Sequence, residues 1–116
     1  MNKLAASEQT RQIVDASRVA FQGMTGAVLS FASLARLLNE PDTKKLALAV
    51  EILASKEVHL LERIYFFEDE NYGLLKVPKD EVNSYVITGL FYHPITRIEL
   101  DSDCVDDHIF IEFEVL

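Results

Sequence analysis

Up to about residue 57 the apolar positions recur with the period of a helix, and beyond it they alternate as in strands. Ile13, Ala16, Ala20 and Met24 form one stripe, which predicts a first helix over 7–22. Ser7 is its expected N-cap, and Gly23 and Gly26 end it. The short apolar run 27–29 leads to Ser30, the expected cap of a second helix over 31–38. Phe31, Leu34, Ala35 and Leu38 form that helix's buried face, and Arg36 can pair with Glu40 on the outside. Pro41 breaks the chain, and Asp42 or Thr43 caps a third helix running to about Lys56. Leu46, Ala49, Val50 and Leu53 give that helix the clearest helical spacing in the chain. Four strands are then expected, over 59–67, 72–77, 84–92 and 108–116, with a short alternating segment at 97–100. Glu68–Asp69–Glu70–Asn71 can only be a turn, so the first two of these strands make a hairpin. In the last strand Ile109, Ile111, Phe113 and Val115 alternate with Phe110, Glu112 and Glu114, giving one apolar and one largely acidic face.

The 116 residues suit one domain of α+β class, long enough to bury a core without disulfides. A single cysteine, Cys104, excludes an internal disulfide and fits a reducing, cytoplasmic setting. No secretory signal is read at the N-terminus, and no apolar run is long enough for a membrane helix. Charge changes the picture more than composition does. Residues 1–58 carry seven cations against six carboxylates, whereas residues 59–116 carry four against thirteen. An acidic field of that kind repels phosphate and attracts basic protein surfaces.

The segment FASLARLLNEPDTKKLALAVEILASKEV followed by HLLERIYFFEDENYGLLKV resembles the winged helix-turn-helix superfamily, in the order and spacing of its elements across residues 7–77. The resemblance implies a three-helix front half with a β-hairpin wing, followed over 80–116 by a small antiparallel β extension. It also implies DNA binding, with Lys44 and Lys45 as the phosphate contacts. The residues argue against that function. The outer face of the third helix offers no Arg, Asn or Gln to read bases, Glu51 opposes the backbone, and the wing tip is triply acidic.

Candidate chemistry is sparse. Asp101, Asp103, Asp106, Asp107 and His108 invite a metal reading, but Val105 and Asp106 occupy positions where a calcium loop needs a ligand and a glycine. His59, His93 and His108 lie far apart in sequence, and no nucleophile or phosphate-loop motif is present. No catalytic residue, cofactor or obligatory metal is therefore expected. The expectation is a non-enzymatic protein-binding module, an adaptor or stoichiometric inhibitor, facing a partner with a basic surface. The sequence leaves open whether it forms a homo-oligomer. The contact residues expected are Tyr65, Phe67, Glu68, Asp69, Glu70 and Tyr72 on the hairpin, with Glu112 and Glu114 on the last strand. There, rings would anchor and carboxylates would steer. A terminal strand at a sheet edge would offer free backbone groups as well. The alternatives are a DNA-binding regulator using Lys44 and Lys45, and a metal-dependent protein using the 101–108 cluster.

Overall fold

A computed structural model describes residues 3–116, with side chains from residue 8 onward. The fold is α+β. In chain order it comprises α1 (Lys3–Ala20), β1 (Val28–Leu29), α2 (Phe31–Leu37), α3 (Thr43–Leu53), β2 (Leu61–Asp69), β3 (Gly73–Val77), α4 (Lys79–Thr88), β4 (Phe91–Tyr92), β5 (Glu99–Leu100), α5 (Ser102–His108) and β6 (Ile109–Val115). One sheet has the order β1-β6-β2-β3, and β4 pairs with β5 in a second. Among the described residues two compact units form: those up to Arg63 with 113–116, and residues 64–112. The division falls inside β2 and β6.

The first unit follows the helical stripes. Ser30 caps α2 by accepting the Ser33 N–H at 3.1 Å. Asp42 caps α3 by accepting the Lys44 and Lys45 N–H groups at 2.9 and 3.2 Å. Leu46, Ala49, Val50 and Leu53 are all buried, and the core joins three of them to Phe21, Leu34, Leu61, Phe113 and Val115. Three details differ from the expectation. Ser7 lies within α1, which has already begun at Lys3, so it is not the cap; its side chain is outside the described set. Helix α3 ends at Leu53, three residues early. Arg36 donates to Ser33 at 3.3 Å, while Glu40 accepts the Asp42 N–H at 3.1 Å, so the two do not pair.

In this unit the end of β6 is held on both sides. Val115 N–H donates to Ala27 O at 2.9 Å, Gly26 N–H to Val115 O at 2.7 Å, and Leu116 N–H to Leu60 O at 3.1 Å. The terminal strand is therefore interior to the sheet, contrary to the expected edge. The two ends of that sheet are β1 and β3.

The second unit departs further from the expected β extension, because two of its segments are helices. Residues 79–88 form α4, not a strand. Pro78 starts it, Asp80 and Glu81 occupy the first turn, and Gly89 at φ 76° ends it in the left-handed conformation. Only Phe91 and Tyr92 of the expected 84–92 strand are extended. The acidic segment after Asp101 is α5, with the Asp101 side chain accepting the Asp103 N–H at 2.9 Å. The expected hairpin is present, from Tyr65↔Val77 to Asp69↔Gly73 in unbroken register. Its core is Phe67, Val77, Val82, Phe91 and Val105.

Candidate partner-binding surface

Residues 64–112 hold eleven carboxylates against Lys76, Lys79 and Arg97, which is the chain's entire net charge of −8. The other unit balances its charges. The same segment carries ten of the fourteen exposed large hydrophobic side chains among the described residues, with Tyr72 52%, Leu74 57% and Ile87 83% exposed. Scattered exposed apolar groups are ordinary. Their concentration in the unit that also holds the negative charge marks this part of the molecule.

The expected contact residues divide on this surface. Phe67 is 3% exposed and is a core residue, packed at ring-centroid distances of 5.5 Å from Phe91 and 5.7 Å from His93. It cannot anchor a partner. The strand period explains the correction: Tyr65, Phe67, Leu75 and Val77 share the inward face of the hairpin, and Tyr65 is half-buried on the same core. Glu68 and Glu70 are exposed as expected. Glu112 and Glu114 are half-buried, and the two lie in different units, so they do not form a patch that either unit presents whole.

Asp69 is engaged within the protein. Its Oδ2 accepts from His93 Nε2 at 2.6 Å, and its Oδ1 accepts the Asn71 and Tyr72 N–H groups at 2.7 and 3.0 Å. The His93 bond first, then the Asn71 N–H, holds the carboxyl below the usual carboxylate range. His93 is 5% exposed, and its Nδ1 accepts the Ile95 and Thr96 N–H groups at 3.0 and 3.1 Å. That assignment fixes the proton on Nε2. An aspartate holding an imidazole is the supporting half of a catalytic triad. Here the other ring nitrogen has no lone pair left for a nucleophile's proton. The pair instead clips the hairpin tip to the 93–97 turn, in which Arg97 sits at φ 60°. Sequence reasoning missed this pair because its members are 24 residues apart and neither carries a local signature.

The 101–108 cluster is likewise engaged by the fold. The Tyr85 hydroxyl donates to Asp106 and lies 3.1 Å from the Ser102 carbonyl. His108 Nδ1 donates to the Cys104 carbonyl at 2.7 Å, and Cys104 is an exposed free thiol. Among the described residues no three such side chains gather as metal ligands. In the first unit, the donors at the N-terminus of α3 already face the Asp42 carboxylate. Glu51, on the same helix, pairs with Arg63 at 2.6 Å. No helix among the described residues is long and apolar enough to cross a membrane. Comparison with protein-family models, curated proteins and solved structures gives no match.

Proposed function

We propose that this chain is a non-enzymatic protein-binding module, acting as an adaptor or stoichiometric inhibitor, and that its acidic unit meets a partner with a basic surface. The observation that carries this reading is the coincidence of the whole net charge with most of the exposed apolar side chains in residues 64–112. Apolar groups supply buried area on association, and charge of one sign steers a cationic partner and rejects acidic ones. The order α2, α3, β2–β3 supports kinship with winged helices. The acidic field and the carboxylate already capping α3 both count against DNA as the ligand. The exposed Cys104 thiol suits a reducing, cytoplasmic setting.

The test uses Glu68→Lys with Glu70→Lys, which leaves the structural Asp69 intact. The immobilised chain is expected to retain a basic protein from its native host. Retention should weaken between about 0.05 and 0.15 M salt, because exposed charges are screened within a Debye length. The charge-reversed variant should lose both the partner and the salt dependence. Retention unchanged by that variant but abolished by Lys44→Glu with Lys45→Glu would transfer the function to α3.

A further inference from the structure

We infer that the outer edge of β3 is a strand-addition site that takes an extended, basic segment of a partner protein. The inference rests on the proposed reading of residues 64–112 as a partner-binding unit. Strand β3 ends the sheet order, and among the described residues β2 is its only neighbour. The five pairs from Tyr65↔Val77 to Asp69↔Gly73 run without a bulge. Among the described residues, no hydrogen bond engages the backbone groups of β3 that point away from β2. Natural edges are blunted by charge, proline, a bulge or a covering element. Here Lys76 is the one charge within the strand, and Pro78 lies just beyond its end. The outward side chain beside Lys76 is Leu74, 57% exposed, an apolar seat next to free backbone donors and acceptors.

The edge is also held in shape. Asp69 Oδ1 accepts the Asn71 and Tyr72 N–H groups and Oδ2 takes His93, so the turn that delivers β3 is fixed before any partner arrives. An edge already ordered loses less conformational entropy on binding.

The occupant's chemistry follows from the charges around the strand. Glu68 stands opposite Leu74 in the hairpin, Glu70 sits at the tip, and Asp80 and Glu81 open α4 just after β3. An alternating strand laid along β3 with a lysine or arginine beside Leu74 rests the methylene stem of that residue on Leu74 and directs its cation toward Glu68, which shares the face. The exposed ring of Tyr72 offers a face to another cation. A second copy of this chain would bring its own −8 unit to the contact, so a homodimer through β3 is opposed by like charge. A helical partner would leave the backbone of β3 unpaired, whereas an extended one satisfies it.

The test titrates three capped synthetic peptides into the isotope-labelled full chain: alternating Val-Lys, alternating Val-Glu, and a helix-forming Ala-Leu-Lys peptide of equal charge. The Val-Lys peptide is expected to shift the amide signals of Gly73–Val77 and slow their hydrogen exchange, and the Val-Glu peptide to do neither. Leu74→Lys should weaken binding by about ten-fold, and Lys76→Glu should strengthen it by about three-fold, with the thermal melts of both variants close to wild type because both positions are exposed. Binding of a lysine peptide to residues 64–112 that leaves the β3 amides unchanged, or tighter binding of the helical peptide, overturns the edge site and leaves the protein-binding reading standing. A chain that dimerises through β3 in sedimentation overturns the basic occupant. No binding of either lysine peptide at about 0.05 M salt removes the reading itself.

Discussion

Tyr85 gives its one hydroxyl proton to Asp106, and the consequence is measurable. That hydrogen bond first, then burial and the charges of Asp106, Asp103 and Asp101, pushes its pKa up to about 12. The raised value means that the neutral phenol is favoured in the fold. Its stabilising contribution is complete below the unfolded value near 10 and is lost as pH rises through 12. Of the four tyrosines, one should therefore ionise last in an ultraviolet titration, and Tyr85→Phe should remove that late step. A late step that survives the substitution would mean the phenol is not bound as described. Asp69 works in the opposite direction. Its folded pKa is lowered, so its contribution is present above the unfolded carboxylate value and is lost as pH falls through the folded one. His93→Ala removes the partner of Asp69 Oδ2 and leaves the Ile95 and Thr96 N–H groups without theirs. The expected result is a melting midpoint several degrees lower at neutral pH. The gap between wild-type and variant melts should narrow as acid protonates Asp69, leaving the part due to the Ile95 and Thr96 N–H groups; a gap that does not change with pH would locate the role of His93 elsewhere.

Helix α3 was legible in the sequence because its local signals and its packing agree. Asp42 caps it, and the apolar spacing of Leu46, Val50 and Leu53 is the spacing that the core receives. Leu53 is fully buried, so Leu53→Ala should cost about 2–5 kcal/mol in denaturant unfolding, while Leu48→Ala, at a position 62% exposed, should change stability by no more than about 0.5 kcal/mol. Equal effects at both sites would mean that the helix is rotated about its axis. Helix α4 was not legible, for a reason its residues make plain. The run SYVITGLFY is rich in β-branched and aromatic types, and the buried positions of the helix amount to Val82 with Tyr85 packed beside it. Val86 and Ile87 point to solvent, so no apolar stripe announces a helix. The end signals decide instead: a proline start, two acids in the first turn and a left-handed Gly89. The hairpin β2–β3 was legible as two strands and a turn, but β2 runs on to Asp69 through residues expected to turn, so the register, with Phe67 opposite Leu75, was not. Which of its aromatic rings enter the core depended on that register and on residues 91 and 93, so Phe67 was assigned to the wrong face.

At the scale of the whole molecule, the separation of charge governs what the chain can bind. One unit is balanced and the other carries −8, a contrast visible in the sequence as the acidic second half. The carboxylates of residues 101–107 contribute to that field without converging on a point, and two of them already serve the fold through the Asp103 N–H and the Tyr85 hydroxyl. Thermal melts in excess calcium and in chelator should therefore coincide, and a shift of many degrees would mean that the carboxylates do converge on an ion. Duplex DNA gives the broader test. Its affinity comes largely from cations that displace counterions from phosphate, and each such contact steepens the salt dependence. The acidic unit offers Lys76, Lys79 and Arg97, and Arg97 lies 3.3 Å from Glu81. In the other unit Lys44 and Lys45 follow the Asp42 cap, and Arg63 is paired with Glu51. A helix N-terminus is a good phosphate site when its donors are free, but here a carboxylate already occupies them. Mixed genomic duplex should consequently show no submicromolar binding at about 0.15 M salt. Asp42→Ala with Glu40→Gln should expose the α3 terminus and the two lysines, and any weak binding at low salt should then rise. Submicromolar binding by the wild-type chain, lost in Lys44→Glu with Lys45→Glu, would return the function to the helix-turn-helix face and make the acidic unit the side turned away from the ligand.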